Sequence, residues 1–332
     1  MAKAVRRAPR RSVVRSLVFA VLPLFVLACG AEAYLIYTGS GAPPADAKWT
    51  HGTVYWVSDA NLNLEAYPHN ETGGSFRVST DANGLRAPLH AEKKPAGGYR
   101  VMTLGCSTTF GWGVEDRESY PARLETILGE GGHQVEVING GQPGHSSFQG
   151  LWLWDRSLKR YEPDVVIFGY LVQDSRKVAY SDRSQAVYQK DADFLKKNLL
   201  YRSKLYLLVR ELVDAWRSEA KDKLHEVPRI APDEYVENIR AFKGLVEGVG
   251  AKFVLFGYPL ERSGYTEDHR RILHSAAEIL AVPLHDPQPE MEKRTAGETL
   301  YFPEDRGHAN AAGNDVIAQG MAQFLVAQSL VP

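Results

Sequence analysis

The sequence contains little cysteine and no large excess of charge of either sign. Two cysteines, Cys29 and Cys106, occur in 332 residues, which excludes a disulfide framework and a four-cysteine zinc site. The 39 basic and 40 acidic residues give a formal net charge of -1, so the chain lacks the overall basic field typical of nucleic-acid-binding proteins. No internal repeat, phosphate-binding loop or dinucleotide fingerprint occurs, and the histidines show no metal-ligand spacing. We therefore expect no metal, no cofactor and no nucleic-acid partner.

The composition is that of a globular protein. Hydrophobic residues make up 44% and charged residues 24% of the chain, a balance that excludes disordered and collagen-like classes. A chain of this length can bury a full core without disulfide or metal support, and it accommodates one large α/β domain with additional segments.

The positive charge of the N-terminus is concentrated in residues 1–16. This stretch contains six basic residues and no acidic residue. It is followed by residues 17–37, which carry one charged residue, Glu32, and are long enough to cross a hydrocarbon core of about 30 Å. Basic residues before an apolar segment hold that end in the cytoplasm. We therefore expect export of everything after residue 38, and a location in the cell envelope.

Three interpretations of this segment remain open from the sequence. It is an uncleaved membrane anchor, or a signal peptide cleaved at Ala31-Glu32-Ala33, or a lipoprotein signal in which Val26-Leu27-Ala28-Cys29 forms a lipobox and Cys29 carries the lipid. All three place the bulk of the chain outside the cytoplasm.

The remainder of the chain divides into two parts. Residues 38–97 begin with a Gly/Pro-rich linker and continue as a small β-rich lead-in, in which Thr53-Val54-Tyr55-Trp56-Val57 is a β-like piece. In residues 98–330, apolar strands alternate with amphipathic helices, which is typical of a parallel sheet covered on both faces. The strands are predicted at 100–104, 135–138, 164–168, 252–256 and 282–284. The helices are predicted at 120–128, 191–221, 232–249, 268–280 and 311–330. We predict a three-layer α/β/α sandwich with a mostly parallel, flavodoxin-like five-stranded sheet.

Ligands of such sheets bind beyond the carboxyl ends of the strands, so the residues that follow each strand are the candidates for chemistry. After the first strand comes Gly105-Cys106-Ser107, where a glycine permits a tight turn and Ser107 is a candidate nucleophile. Far downstream, Asp305 stands three residues before His308, a spacing that lets a carboxylate bond one ring nitrogen while the other serves as a base.

Two further loops follow the second and third strands. The glycines around Gly144 let a backbone N–H point into a cleft and donate to developing negative charge, and Gln173 offers a side-chain amide donor at the third strand end. His145 lies in the first of these loops and is either structural or part of the cleft wall.

These four motifs, in this order, resemble the blocks of the SGNH or GDSL hydrolase family, over residues 98–330. Asn83-Gly84-Leu85-Arg86, together with Tyr99-Arg100, is similar to membrane-anchored bacterial members. The resemblance implies that Ser107 is the nucleophile of a Ser107–His308–Asp305 triad. It also implies that the N–H groups of Ser107 and Gly144, with Gln173, form the oxyanion hole. Two positions depart from the family pattern, because Cys106 replaces an aspartate and Gln173 replaces an asparagine.

The resemblance predicts an exported carboxylic ester hydrolase, an esterase or lipase acting through an acyl-enzyme on an acylated small molecule, lipid or glycan. Two alternatives remain open. The same site would serve an O-acyltransferase that moves acyl groups onto an envelope glycan, and the Cys106 and Gln173 departures suit a catalytically silent glycan-binding module of the same fold.

Overall fold

A parallel five-stranded sheet forms the centre of the protein. The computed structural model describes residues 10–38, 54–69, 71–178, 181–191, 203–206, 208–209, 212–213, 227–262, 264–305 and 307–332. The strands are β1 (Asn63–His69), β2 (Gly74–Ser79), β3 (Tyr99–Gly105), β4 (Val135–Gly141), β5 (Val165–Phe168), β6 (Lys177–Val178), β7 (Val227–Pro228), β8 (Lys252–Phe256) and β9 (Leu284–His285). The central sheet has the order β4-β3-β5-β8-β9, and every neighbouring pair is parallel.

Helices separate the strands of the central sheet along the chain, as the alternating pattern predicts. They are α1 (Arg10–Thr38), α2 (Ser107–Phe110), α3 (Tyr120–Glu130), α4 (Ser147–Arg156), α5 (Val172–Ser175), α6 (Asp182–Asp191), α7 (Pro232–Glu247), α8 (Glu267–Leu280), α9 (Gln288–Thr295) and α10 (Ala311–Ala327). Most of the helix predicted at 191–221 lies outside the described residues.

The two faces of the central sheet are covered by different helices. Successive side chains of a strand point to opposite faces, and in β3 Val101 packs with α3 and α10 while Met102 packs with α4, α7 and α8. Both residues are fully buried. The predicted three-layer α/β/α architecture with a five-stranded sheet is therefore confirmed.

The lead-in contains an antiparallel hairpin of β1 and β2, whose Tyr67, Phe76 and Val78 form a small core with Phe110. The β-like piece predicted at residues 53–57 is wrong for its described part, 54–57, which is irregular. Carbonyl groups of this stretch accept hydrogen bonds from side chains of the main domain, Trp56 from His145 at 2.8 Å and Val54 from Gln149. These bonds replace those of a strand ladder.

Arg86 connects the lead-in to the segment that follows α2. Its guanidinium is fully buried, and it donates to the carbonyl oxygens of Phe110 and Val114 at 2.8 and 2.6 Å and to Asp116 at 3.0 Å. A buried cation with this many acceptors is satisfied by hydrogen bonds as well as by charge. The lead-in therefore fixes the loop at the end of the Ser107 segment.

Contacts divide the chain into two compact units. One contains residues 1–47 and 190–224, and the other contains residues 48–189 and 225–332. In the first unit, Val21–Thr38 of α1 is long and apolar enough to cross a membrane. Its large apolar side chains, such as Leu24, Phe25 and Leu27, are exposed.

Candidate active site

Ser107 lies at the carboxyl end of β3, which is the second strand from one edge of the central sheet. It is the first residue of α2, and Cys106 occupies the capping position before it. Gly105 is required at the strand end, because a Cβ there would lie 2.1 Å from Thr109 Oγ1 in the tight turn. The Ser107 side chain is 7% exposed, so its hydroxyl faces a largely enclosed site.

Asp305 and His308 lie in the loop before α10. The end of this loop is fixed by Asn310, whose side-chain oxygen accepts the Gly313 N–H at 3.0 Å as the N-cap of α10. Its amide nitrogen donates to the Thr299 carbonyl at 2.9 Å. The loop is therefore held at both of its ends, and the histidine is presented from a defined position.

The structure brings Ser107, His308 and Asp305 into one hydrogen-bonded chain. His308 Nε2 lies 2.7 Å from Ser107 Oγ, and His308 Nδ1 is bonded to Asp305 Oδ2. The Gly307 N–H lies 3.4 Å from the other carboxylate oxygen, Oδ1. Burial opposes ionisation of Asp305, but its hydrogen bond to His308, the charge of that ring and the Gly307 N–H hold its pKa below its ordinary value. A carboxylate bonded to Nδ1–H leaves Nε2 as the acceptor for the serine proton.

Cys106 is buried beside this site. Its side chain is 1% exposed, its sulfur contacts Thr108 Oγ1 at 3.2 Å, and burial raises the pKa of the thiol. A buried neutral thiol is a poor nucleophile. Cys106 therefore packs as a small apolar residue in the turn before Ser107.

Gly144 and Gln173 are held by the same side chain, Arg229. Its Nη1 donates to the Gly144 carbonyl and to Gln173 Oε1, the latter at 3.2 Å. Because a guanidinium has only donors, the Gln173 oxygen faces Arg229 and its amide nitrogen is turned away. Gly144 adopts a φ of +75°, a left-handed conformation that favours glycine. Arg229 itself is anchored to Asp182 at 2.7 Å.

Two buried titratable residues, one next to Gly144 and one next to Gln173, have structural roles. His145 is fully buried, with Nε2 2.8 Å from the Trp56 carbonyl, and burial lowers its pKa to about 3. Asp174 accepts the Ser147 N–H at 3.1 Å. Burial raises the pKa of Asp174 to about 7, against the Ser147 hydrogen bonds and the charge of Arg229. Both residues fix the backbone around α4, and neither belongs to the hydrogen-bonded chain of Ser107, His308 and Asp305.

His69 is a neighbour of Asp305 that the sequence did not indicate. It ends β1, and its Nε2 lies 3.6 Å from Asp305 Oδ2 and 3.5 Å from Glu71 Oε2. Donor atoms of these three residues lie within 4.8 Å of one another, close enough to hold a metal ion. No local spacing pointed to His69 or Arg229, because each reaches the site from a segment far away in the sequence.

Comparison with known proteins gives no family assignment. No protein-family model matches the chain, and no curated protein sequence matches it. Among solved structures, a lipase/acylhydrolase from Enterococcus faecalis is 14% identical and covers 70% of this chain and 97% of its own, with a TM-score of 0.47. An acetylxylan esterase from Geobacillus stearothermophilus is 15% identical and covers 69% of this chain and 94% of its own, with a TM-score of 0.47.

A third solved structure is a putative lipolytic protein of the G-D-S-L family from Desulfitobacterium hafniense, 15% identical, covering 69% of this chain and 100% of its own, with a TM-score of 0.46. Identities of this size with TM-scores below 0.5 do not establish a shared activity. The function therefore has to be inferred from the geometry of the site.

Proposed function

We propose that this protein is a membrane-anchored serine hydrolase that cleaves an O-acyl ester bond through an acyl-enzyme. The observation that carries the proposal is the hydrogen-bonded chain from Ser107 Oγ through both nitrogens of His308 to Asp305. A serine hydroxyl is a weak nucleophile unless an adjacent base accepts its proton, and the base acts best when a third group fixes its tautomer.

In the first half-reaction, His308 Nε2 takes the proton of Ser107 as Oγ attacks the ester carbonyl. The new C–O bond places negative charge on the former carbonyl oxygen, and the charge of Asp305 stabilises the imidazolium. Collapse of the tetrahedral intermediate breaks the bond to the alcohol, which leaves with the proton from His308. In the second half-reaction, water replaces the alcohol, and a carboxylic acid and free Ser107 are formed.

The oxyanion is stabilised by the N–H groups of Ser107 and Gly144 and by the Gln173 amide. Arg229 supports the role of Gln173, since it holds the side-chain oxygen and leaves the nitrogen as the group available for the cleft. The glutamine side chain is one methylene longer than that of asparagine. Its hydrogen bond to Arg229 restricts its rotamers before substrate binds, so less conformational entropy is lost when the amide binds the oxyanion.

Retention of α1 as an anchor is supported by a contact within the first compact unit. The Glu32 carboxylate accepts hydrogen bonds at 2.8 Å from Ser203 Oγ and from the backbone N–H groups of Lys204 and Leu205. Cleavage after Ala33 would remove Glu32 and with it these three bonds. An anchored enzyme outside the cytoplasm meets acylated lipids and glycans of the cell envelope, which we propose as its substrates.

The test of the reaction is hydrolysis of p-nitrophenyl acetate, butyrate and octanoate by the full chain in detergent. We expect Ser107→Ala to lose at least about 10³-fold in kcat/KM, and a fluorophosphonate probe to label the wild-type protein at Ser107, as located by mass spectrometry. Ser157→Ala is the matched control, because Ser157 is also buried but its hydroxyl bonds the Leu153 carbonyl, away from the triad. Full activity in Ser107→Ala would refute the nucleophile assignment.

Product analysis with an added glycan acceptor separates hydrolysis from acyl transfer. Hydrolysis yields free acid at the same rate with or without the glycan, whereas acylated sugar would show that the acceptor is not water. Absence of both labelling and turnover would favour the silent binding module.

The test of the anchor is the mass of the N-terminal peptide in protein from a membrane fraction washed with carbonate. An intact sequence through α1 is expected. A mature chain that begins at Tyr34, the residue after the Ala31-Glu32-Ala33 pattern, or at a lipidated Cys29, would contradict retention.

A further inference from the structure

We propose that His69 is a positioning residue for the triad carboxylate, donating its Nε2–H toward Asp305 from the lead-in hairpin. The proposal rests on the proposed function, because it assigns His69 a part in the same site. It makes the hairpin of β1 and β2 a component of the active site rather than a separate support.

The first observation is the burial of the His69 ring. The residue is 3% exposed, and among the described residues its Nε2 has no hydrogen-bond partner within normal distance. The ring packs against Phe302, Phe76 and Trp112, with centroids 4.9, 6.0 and 6.5 Å away. Burying a polar atom without a hydrogen-bond partner costs free energy. The groups that Nε2 faces therefore indicate the role of the ring.

The second observation concerns what Nε2 faces. It lies between two carboxylate oxygens, at 3.6 Å from Asp305 Oδ2 and 3.5 Å from Glu71 Oε2. These are the charged groups in contact with the ring among the described residues. A nitrogen lone pair between two carboxylates would be repelled, so the proton resides on Nε2. In the neutral ring Nδ1 is then the acceptor, and Thr72 Oγ1, 2.9 Å away, donates to it.

The consequence for catalysis follows from the shared oxygen. Asp305 Oδ2 is the atom that is bonded to His308 Nδ1. At 3.6 Å the His69 N–H does not form a full hydrogen bond, but in a site walled by aromatic rings its dipole still acts on the carboxylate charge. It favours the rotamer in which Oδ2 faces His308, and it partly offsets the charge that stabilises the imidazolium.

A metal ion held by His69, Glu71 and Asp305 is the competing use of these atoms. Such an ion would draw Asp305 Oδ2 away from His308 Nδ1, where the structure has its hydrogen bond. The observed contact to His308 therefore favours the positioning role.

The experiment compares His69→Leu and His69→Gln in the full chain in detergent. We expect His69→Leu to lower kcat about 10- to 100-fold, by analogy with the loss of hydrogen-bond partners that orient the ligands of metal sites, with KM unchanged. The pH at half-maximal kcat/KM moves upward, because Asp305 is left with more uncompensated charge facing His308. His69→Gln, which keeps an N–H donor, recovers part of both effects.

Val78→Ala is the matched control, because Val78 is fully buried in the same hairpin core and its side chain has no polar group to donate to Asp305. If it causes the same kinetic losses at the same fall in thermal stability, His69 acts only through folding and the proposal is wrong. An unmoved pH midpoint in His69→Leu, or activity abolished by EDTA and restored by Zn²⁺, would also overturn it.

A measurement that needs no turnover separates this proposal from the proposed function. In protein labelled with ¹⁵N-histidine, the His308 ring is titrated by NMR, with the resonance assigned by its loss in His308→Gln. An upward shift of the titration midpoint in His69→Leu supports the positioning role even if no substrate is hydrolysed, and an unchanged midpoint refutes it. Loss of Ser107 labelling in the wild-type chain refutes only the proposed function.

Discussion

Asp305→Asn is the substitution whose effect the site geometry defines most sharply. The Gly307 N–H faces Oδ1 of the native carboxylate at 3.4 Å, and His308 Nδ1 bonds Oδ2. In an asparagine, the Gly307 N–H at 3.4 Å favours placing the amide oxygen at the Oδ1 position and the NH₂ group at the Oδ2 position, and it is nearer than the opposing His69 N–H, which lies 3.6 Å from Oδ2. The NH₂ group would then donate to His308 Nδ1, which would force the proton of the neutral ring onto Nε2.

In this variant, His308 can no longer act as the base, although the arrangement of the site is retained. A protonated Nε2 donates to Ser107 Oγ across the 2.7 Å contact instead of accepting its proton. Stabilising the wrong tautomer in this way lowers kcat by roughly 10⁴-fold in a related triad, which corresponds to about 5 kcal/mol in the activation free energy. Asparagine has nearly the size of aspartate, so we expect only a small change in thermal stability.

The assay is steady-state hydrolysis of p-nitrophenyl acetate together with the pH-dependent rate of fluorophosphonate labelling. Asp305→Ala is the informative companion, because it removes the carboxylate without holding the ring in either tautomer. We expect it to retain more activity than Asp305→Asn. A variant Asp305→Asn that keeps activity within about 10-fold of wild type, against the loss expected for the wrong tautomer, at unchanged stability, would refute the tautomer argument.

Three further predictions concern the residues around the triad. Gln173→Ala is expected to lower kcat by about 10²–10³-fold, the loss measured for one oxyanion donor, with little change in KM in steady-state kinetics. Because the pKa of Asp174 is raised to about 7, the protein should lose stability as pH rises from about 4 to about 7, where the unfolded chain ionises and the folded chain holds the proton. Asp174→Asn should abolish the part of the pH-dependent decrease in Tm that Asp174 causes. Asp155→Asn is the control, because Asp155 is an exposed carboxylate, and it should show the same decrease in Tm as the wild type. Iodoacetamide should leave buried Cys106 unmodified in the folded protein, with activity retained, and should modify it once the protein is unfolded in urea.

Each of these predictions has a contradicting result. A normal kcat in Gln173→Ala would remove that amide from the oxyanion hole, and an equal fall in Tm in wild type and Asp174→Asn would assign the pH dependence to other groups. Loss of activity on alkylation of Cys106 would show that the thiol is accessible and contributes to the site.

The central sheet could be predicted from the sequence because each strand of a buried parallel sheet is a short, continuous run of apolar residues. The apolar runs around Val101, Val137, Val166 and Val254 correspond to strands that are buried on both faces. The strand at 252–256 has its predicted bounds. The ends of the other strands differ from the prediction by one to three residues, as at Leu284–His285, where Pro283 cannot donate a ladder hydrogen bond. The lead-in was less predictable, since the contacts of residues 54–57 are made with side chains of a different segment.

The sequence by itself determined that Ser107, Gly144 and Gln173 follow the ends of parallel strands, which meet at one edge of a sheet. It also determined that Asp305 precedes His308 by three residues. Only the tertiary structure decided what surrounds those residues. Arg229 holds Gln173 and His69 faces Asp305 through contacts made when distant segments pack together, and such contacts leave no periodicity or spacing in the chain. The partner of such a side chain depends on which distant segments pack together in the folded protein, so the sequence alone does not indicate it.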